Sequence, residues 1–141
     1  MLKINDAIHG FIQLPDKFIN IVDSPIFQRL RRIKQLSGAS YVFPGANHTR
    51  FEHCLGTSFL AQKLSKNLKE LKQFDITEEH IEECSLAGLL HDIGHGPFSH
   101  NFEAILLDFT GNNHEDMSSK IICESNLAEL IDEQGFNPQR I

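Results

Sequence analysis

The chain of 141 residues has no tryptophan, only three cysteines and no long apolar run. A membrane-spanning helix needs about 20 consecutive apolar residues, so no membrane segment is expected. The cysteines are odd in number and form no Cys-x-x-Cys pair, which argues against a disulfide framework. No charged and then apolar segment opens the chain, so the cytoplasm is the predicted location. The cysteines are Cys54, Cys84 and Cys123.

Basic residues are scarce in the second half of the chain, and the formal net charge is −6. Residues 1–72 hold 11 Lys and Arg against 5 Asp and Glu, whereas residues 73–141 hold 2 against 14. An acidic average disfavours non-specific binding to nucleic acid, so nucleic acid is not an expected partner. The basic first half can supply a local phosphate site, and solvated helix faces are the alternative explanation.

The length predicts one compact domain over residues 1–141. Apolar residues recur mostly at helical spacing, so we expect an all-α helical bundle with one small hairpin near the N-terminus. Ser24-Pro25 has the pattern of a helix start, and that helix is expected to end near Gly38. The segment from Ala39 to Phe43 is expected to be extended.

Two further helices are expected to carry the candidate chemistry. Thr49-x-x-Glu52 is a capping box and opens a long helix whose apolar stripe runs from Phe51 to Leu71. Thr77 caps the next helix, which ends near Gly94. Later helices are expected to begin near Phe98, at His114 and at Asn126.

The segment from His91 to His100 combines three histidines and an aspartate with two glycines and a proline. His91 and Asp92, together with His53 upstream, form a candidate metal site. Two imidazoles and a carboxylate suit Mn, Fe, Co, Ni or Zn, and three ligands leave positions open for water and substrate. Such an ion polarises phosphoryl oxygens. The alternative is that His53 and His91 are hydrogen-bonded core histidines.

A second group consists of His95, His100, His114 and Glu115. Imidazoles exchange protons near neutral pH, and phosphate-ester cleavage needs a proton for the leaving oxygen. His100 as a helix cap and His114 as a surface residue are the alternatives. Arg50, one turn before His53, can grip phosphate, with a surface ion pair as its alternative.

Six segments resemble, in their order, the HD-domain phosphohydrolases, specifically the N-terminal part of the HD domain in the dNTP triphosphohydrolase branch (dGTPase-like and SAM-and-HD-domain). Ala7 stands where that family has a proline. The segments are Asn5–Gly10, Phe27–Leu36, Val42–Ala46, Arg50–His53, His91–His100 and His114-Glu115.

The resemblance implies a metal-dependent hydrolase that converts a dNTP to deoxynucleoside and tripolyphosphate. It implies a divalent ion, with Mg added to the candidates above, and a homo-oligomer with a guanine nucleotide effector. The implied residues are His53, His91 and Asp92 for the metal; His95, His100, His114 and Glu115 for catalysis, with Glu115 orienting His114; Arg50, Gln35 and Leu36 for substrate; and Asp23, Gln28 and Arg31 for the effector.

The chain departs from the family pattern downstream. The family's fourth metal ligand is an aspartate beyond this sequence, and Asp132 stands in the wrong context to replace it. The chain is therefore expected to be a fragment or a short relative. Two alternatives stay open: a non-catalytic nucleotide- and metal-binding HD module, and an HD-type nucleotidase or phosphodiesterase.

Overall fold

The computed structural model describes residues 2–72 and 74–141, and most of them are helical, as predicted. A two-stranded antiparallel hairpin at the N-terminus completes the fold, which confirms the expected architecture. The elements are β1 (Leu2–Asp6), β2 (Gly10–Leu14), α1 (Ile19–Asp23), α2 (Pro25–Gln28), α3 (Arg50–Glu70), α4 (Glu78–Leu90), α5 (His100–Thr110), α6 (His114–Glu124) and α7 (Asn126–Glu133). Short 3-10 helices span Asp16–Phe18, Arg29–Arg32, Ser37–Tyr41 and Pro138–Arg140.

The hairpin closes on a turn that its own aspartate stabilises. Asp6 Oδ1 accepts the backbone N–H groups of Ile8 and His9 at 2.9 and 2.8 Å. Gly10 follows with φ +71°, a conformation that glycine adopts without steric cost. The β2 residues Ile12 and Leu14 are buried, so one side of the hairpin packs on the helical core.

Helices α3 and α4 run antiparallel in close contact through small residues. Ser58 Oγ donates to the Ser85 carbonyl at 2.8 Å, and Ser85 Oγ donates to the Ser58 carbonyl at 3.2 Å. A Cβ on Gly88 would lie 3.2 Å from the Thr57 carbonyl oxygen and 3.3 Å from Ala61 Cβ. This approach places the start of α3 beside the end of α4.

The expected apolar stripe of α3 is only partly buried. Phe51 and Leu55 belong to the core, but Leu60, Leu64 and Leu71 are exposed. The small residues that face α4 decide the orientation of the middle of the helix, and they turn these leucines toward solvent. Helical periodicity therefore identified the helix but assigned the wrong face to its second half.

Local capping signals placed most helix starts correctly. Glu52 Oε2 accepts the Thr49 N–H at 2.5 Å, and Thr77 Oγ1 accepts the His80 N–H at 3.2 Å, so both predicted caps are confirmed. The Asn126-x-x-Glu129 pattern predicts Asn126 as the cap of α7, whereas the cap is Ser125, one residue earlier. The helix from Pro25 ends by residue 32 rather than near residue 38.

The prediction of an extended segment from Ala39 to Phe43 was wrong. Ser37–Tyr41 forms a 3-10 helix, and Val42 and Phe43 both donate their N–H groups to the Ala39 carbonyl. These are local backbone contacts, which side-chain pattern alone did not reveal.

The core lies between the hairpin, the N-terminal helices, α3, α4 and α7. Across the described residues, no helix is both long and apolar enough to cross a membrane. The largest fully buried apolar side chains are Phe18, Phe27, Ile12, Leu14, Ile21, Leu30, Ile81, Leu86, Leu89, Leu90 and Ile93.

Candidate metal and phosphate site

The facing ends of α3 and α4 bring the three candidate metal ligands together. His53 lies in the first turn of α3, and His91 and Asp92 directly follow α4. His53 Nε2 is 3.2 Å from His91 Nε2 and 3.5 Å from Asp92 Oδ2. His91 Nε2 is 3.4 Å from Asp92 Oδ1. The antiparallel helix pair thus joins residues that lie far apart in sequence.

These spacings fit three ligands of a single ion. Ligand atoms that lie about 2.1 Å from a metal stand about 3.0 Å apart at a right angle and about 3.4 Å apart at the tetrahedral angle. The side chains of His53 and His91 are 37% and 38% exposed, so the shared position between them is open on one side. The residues therefore fit a divalent cation with room for water or substrate oxygens.

Hydrogen bonding fixes the tautomer of the His91 ring. Its Nδ1 lies 2.9 Å from the carbonyl oxygen of Gly88, which can only accept a hydrogen bond. Nδ1 therefore carries the proton, and the Nε2 lone pair faces His53 and Asp92. Burial lowers the pKa of His53, against the opposing effect of Asp92, and favours the neutral ring that binds metals.

Asp92 is held in its ionised form by its basic neighbours. Burial on its own raises the pKa of Asp92, but His91 and Arg50 outweigh it, so the pKa is lowered. Arg50, which is 2% exposed, donates from Nη1 to Asp92 Oδ2 and from Nε to Ser99 Oγ at 3.0 Å. Arg50 was expected to bind phosphate, and the structure shows its guanidinium engaged with the candidate metal ligand and the following turn.

The turn after α4 also packs tightly against α6. The N–H of Gly94 donates to Ser118 Oγ at 2.9 Å, and Ser118 Oγ donates to the His91 carbonyl at 3.0 Å. A Cβ at residue 94 would overlap the His114 carbonyl oxygen and the Ser118 backbone nitrogen. Only glycine allows α6 this close to the turn.

Gly94→Ala is therefore expected to destabilise the fold by about 3 kcal/mol, because the methyl group must push backbone atoms apart. Gly45→Ala is the matched control, since a Cβ there has nothing within 4 Å. Urea unfolding of both variants measures the difference. Equal stability of the two variants would show that the turn adapts without cost.

Three further histidines gather beside Asp92. The rings of His95 and His114 stack with centroids 4.1 Å apart, and the ring of His100 stands nearly perpendicular to both, at 4.9 and 5.2 Å. His95 Nε2 is 3.6 Å from Asp92 Oδ1, so the two clusters are contiguous. His95, His100 and His114 come from the turn and from the starts of α5 and α6.

Glu103 connects two of these histidines. Its Oε2 lies 2.8 Å from His100 Nδ1, and its Oε1 contacts His114 Nδ1. The hydrogen bonds from these rings lower the pKa of Glu103 to about 2, so the carboxylate is ionised at neutral pH. The Glu103 carboxylate accepts hydrogen bonds from the Nδ1–H groups of His100 and His114, so the Nε2 atoms of both rings remain available.

Glu115 was expected to orient His114, and the structure places it elsewhere. It is exposed and lines a separate cavity of about 350 Å³ beside His91 and Ser118. Within the described part of the chain, Glu115 makes no hydrogen bond to His114, and Glu103 has the position expected for Glu115. The predicted catalytic role of Glu115 stays a prediction.

The buried His95 makes stability depend on pH. Burial, followed by the nearby Arg50, lowers the pKa of His95 to about 4 from the usual 6.5. Above pH 6.5 His95 is neutral in both the folded and the unfolded chain, and the protein has its full stability from this residue. As the pH falls from 6.5 toward 4, the histidine gains a proton only in the unfolded chain, so the free energy of unfolding decreases. We expect a loss of roughly 3 kcal/mol over this range that His95→Gln lacks, measured by urea unfolding with a chelator present. Parallel pH profiles for both proteins would contradict this assignment.

A strained turn leads from the motif into α5. Phe98 and Ser99 have φ values of 59° and 49°, which non-glycine residues rarely adopt. Hydrogen bonds hold this conformation: Ser37 Oγ donates to the Phe98 carbonyl at 2.9 Å, and Ser99 Oγ donates to the Lys34 carbonyl at 3.2 Å. Such strain is often stored at functional sites.

Gln35 and Leu36, the expected substrate residues, line a largely apolar cavity of about 490 Å³ that reaches His100. Among the described residues, no group hydrogen-bonds to the buried Oε1 of Gln35. An unsatisfied buried acceptor beside a cavity is suited to a ligand that donates a hydrogen bond.

Asp23, Gln28 and Arg31, the expected effector residues, line another groove of about 460 Å³ beneath the hairpin. Arg31 Nε donates to Gln28 Oε1 at 2.7 Å, and its guanidinium lies 3.6 Å from the centre of the Phe51 ring. The structure therefore brings these three residues to one groove.

Several residues that hydrogen-bond within the site were not predicted from the sequence, and Glu103 and Ser99 are two of them. Glu103 follows His100 by three positions, so both lie on one helical face, a signal that was available. Ser99 had no such signal, because its partners Arg50 and Lys34 are remote in sequence.

Comparison with known proteins matches residues 50–135 to the HD domain model. Human deoxynucleoside triphosphate triphosphohydrolase SAMHD1 is 53% identical over 148 residues, covering 99% of this chain and 24% of that protein. The chicken protein of the same name is 45% identical, covering 96% and 24%. An uncharacterized protein of Methanocaldococcus jannaschii is 43% identical, covering 90% and 25%.

The chain spans about a quarter of the length of these curated relatives. The HD domain model covers more than half of the chain and includes both histidine clusters. The chain therefore belongs to the HD-domain family.

Proposed function

We propose that this chain carries the metal and phosphate site of a metal-dependent dNTP triphosphohydrolase, which releases a deoxynucleoside and tripolyphosphate. The observation that supports this most is the contiguity of the two clusters. One could hold a metal ion. The other contains three imidazoles, of which that of His95 lies 3.6 Å from Asp92 of the first cluster. The human and chicken relatives carry this activity in their names.

Residues 1–141 are proposed to form one HD domain, corresponding to the N-terminal portion of the relatives' domain. His53, His91 and Asp92 would hold the divalent ion. When bound, such an ion polarises a phosphoryl oxygen and acidifies a coordinated water. Arg50 keeps the Asp92 carboxylate ionised and oriented toward the two imidazoles.

The histidines on the other side of Asp92 would act on the triphosphate. Water adds to the α-phosphorus and loses one proton, the bond between phosphorus and the 5′ oxygen breaks, and the 5′ oxygen gains a proton. His100 and His114 are suited to hold phosphate oxygens and supply this proton through Nε2, because Glu103 fixes both rings through Nδ1. His95 is neutral near pH 7 and can donate a hydrogen bond without adding charge.

Gln35 and Leu36 are proposed to line the deoxyribose pocket. Their cavity adjoins His100, which would place the sugar beside the reacting phosphate. Asp23, Gln28 and Arg31 are proposed to bind the base of a guanine nucleotide effector, supported by their shared groove. Manganese as the ion, a homo-oligomeric state and a cytoplasmic location belong to the same proposal.

Phosphorus NMR with dGTP and Mn²⁺ tests the proposed reaction. Tripolyphosphate is the expected product, and Asp92→Ala should not form it. Orthophosphate or pyrophosphate would instead indicate a nucleotidase or phosphodiesterase. Metal binding without turnover would indicate a non-catalytic module.

A further inference from the structure

Arg29 lies outside the segment that matches the HD domain model, yet it contacts the turn that carries the candidate site. It lies in the 3-10 helix Arg29–Arg32, whereas the family model begins at residue 50. Its Nη1 donates to the His95 carbonyl at 2.7 Å, and its Nη2 donates to the Ile93 carbonyl. One guanidinium therefore spans the two residues on either side of Gly94.

These two carbonyls need partners because they lie just beyond the C-terminal end of α4, where the helix offers no further N–H groups. The negative end of a helix dipole also favours a cation there. Among the described residues, no carboxylate forms an ion pair with Arg29. Its guanidinium instead donates hydrogen bonds to backbone oxygens. The planar fork of arginine can bind both oxygens at once, which the single ammonium group of lysine cannot do in the same way.

Arg29 and Ser118 hold the same turn through different groups. Arg29 binds the carbonyls of Ile93 and His95, while Ser118 binds the N–H of Gly94 and the carbonyl of His91. The side chains of Asp92 and His95 project from this clamped backbone and lie 3.6 Å apart at Oδ1 and Nε2. Any shift of the turn moves both side chains.

We infer that Arg29 is a positioning residue, which holds the backbone turn so that Asp92 and His95 keep the geometry needed for the metal and phosphate site. This role rests on the proposed function for its catalytic consequence. Burial lowers the pKa of Arg29. Its guanidinium has therefore lost part of its hydration, as expected for a group that makes its hydrogen bonds within the protein.

The test compares Arg29→Gln and Arg29→Lys with wild type, using Arg32→Gln as the control. Arg32 is exposed and lies on the same 3-10 helix. Amide hydrogen exchange of the apo protein should rise at least tenfold at residues 93–95 in Arg29→Gln, with little change in α7. Mn²⁺ affinity should fall about 10- to 100-fold, the usual effect of removing a group that orients metal ligands. Arg29→Lys should recover part of both effects, and Arg32→Gln should match wild type.

Two outcomes would overturn the inference. One is wild-type exchange at residues 93–95 together with wild-type Mn²⁺ affinity in Arg29→Gln. The other is a uniform rise in exchange throughout the chain, which would mean that Arg29 contributes only general stability. The exchange measurement needs neither metal nor nucleotide, so a failure of the proposed hydrolysis would appear separately, as missing tripolyphosphate in the wild type.

Discussion

Asp92→Asn is expected to abolish tripolyphosphate release and to weaken Mn²⁺ binding by at least about 100-fold. The substitution removes the anionic member of the candidate ligand set while keeping nearly the same shape. Removing an anionic ligand costs more than removing the groups that orient it, for which about 10- to 100-fold is usual. Loss of several kcal/mol of charge stabilisation corresponds to a rate decrease of about 10³-fold or more. Phosphorus NMR and Mn²⁺ titration followed by EPR measure the two effects.

The same substitution leaves Arg50 buried without a charged partner, at a cost of about 3 kcal/mol in stability. His91→Gln provides a second variant that keeps the Arg50–Asp92 ion pair and removes a half-exposed ligand. Asp132→Asn, at an exposed position in α7, is the matched control and should behave as wild type. Full Mn²⁺ affinity in folded Asp92→Asn and His91→Gln would refute this metal site.

Glu103→Gln is expected to lower kcat by about 10²-fold, because general acid catalysis by positioned histidines contributes at least that much. A neutral amide can accept one Nδ1–H through its oxygen, but it cannot bind both His100 and His114 as the carboxylate does. The pH dependence of kcat should change as well, since the anion that faces both rings is gone. Steady-state kinetics across pH 5–9 measure both effects.

Glu115→Gln provides the decisive comparison, because Glu115 was expected to orient His114, whereas in the structure Glu103 contacts His114. We expect less than a threefold change in kcat for Glu115→Gln, since the side chain is exposed and makes no hydrogen bond to His114 among the described residues. Glu124→Gln, an exposed position at the end of α6, controls for loss of surface charge. A larger effect at Glu115 than at Glu103 would restore the assignment from the sequence.

The features that the sequence predicted well are local. The caps at Thr49 and Thr77 involve residues three positions apart, so they are visible without tertiary information. The candidate ligands His53, His91 and Asp92 were recognisable from residue type and from resemblance to a family. Their convergence at 3.2–3.5 Å confirms that they lie together, whereas their roles await the experiments above.

The features that the sequence did not predict depend on contacts between distant segments. Leu60 and Leu64 have the spacing of core residues, yet the close packing of Ser58 against Ser85 turns them outward. The expected phosphate contact of Arg50 stays a prediction, whereas its ion pair with Asp92, a partner 42 positions away, was not predicted.

The helical class, the caps at Thr49 and Thr77 and the residue types of the two histidine clusters were all predictable, because each follows from residue type and short-range spacing. Long-range packing determines which carboxylate contacts His114, which face of α3 is buried and which arginine contacts the turn after α4. These outcomes depend on how closely α3, α4 and α6 approach one another. That distance is set by the small residues between them, and neither periodicity nor motif spacing reveals it.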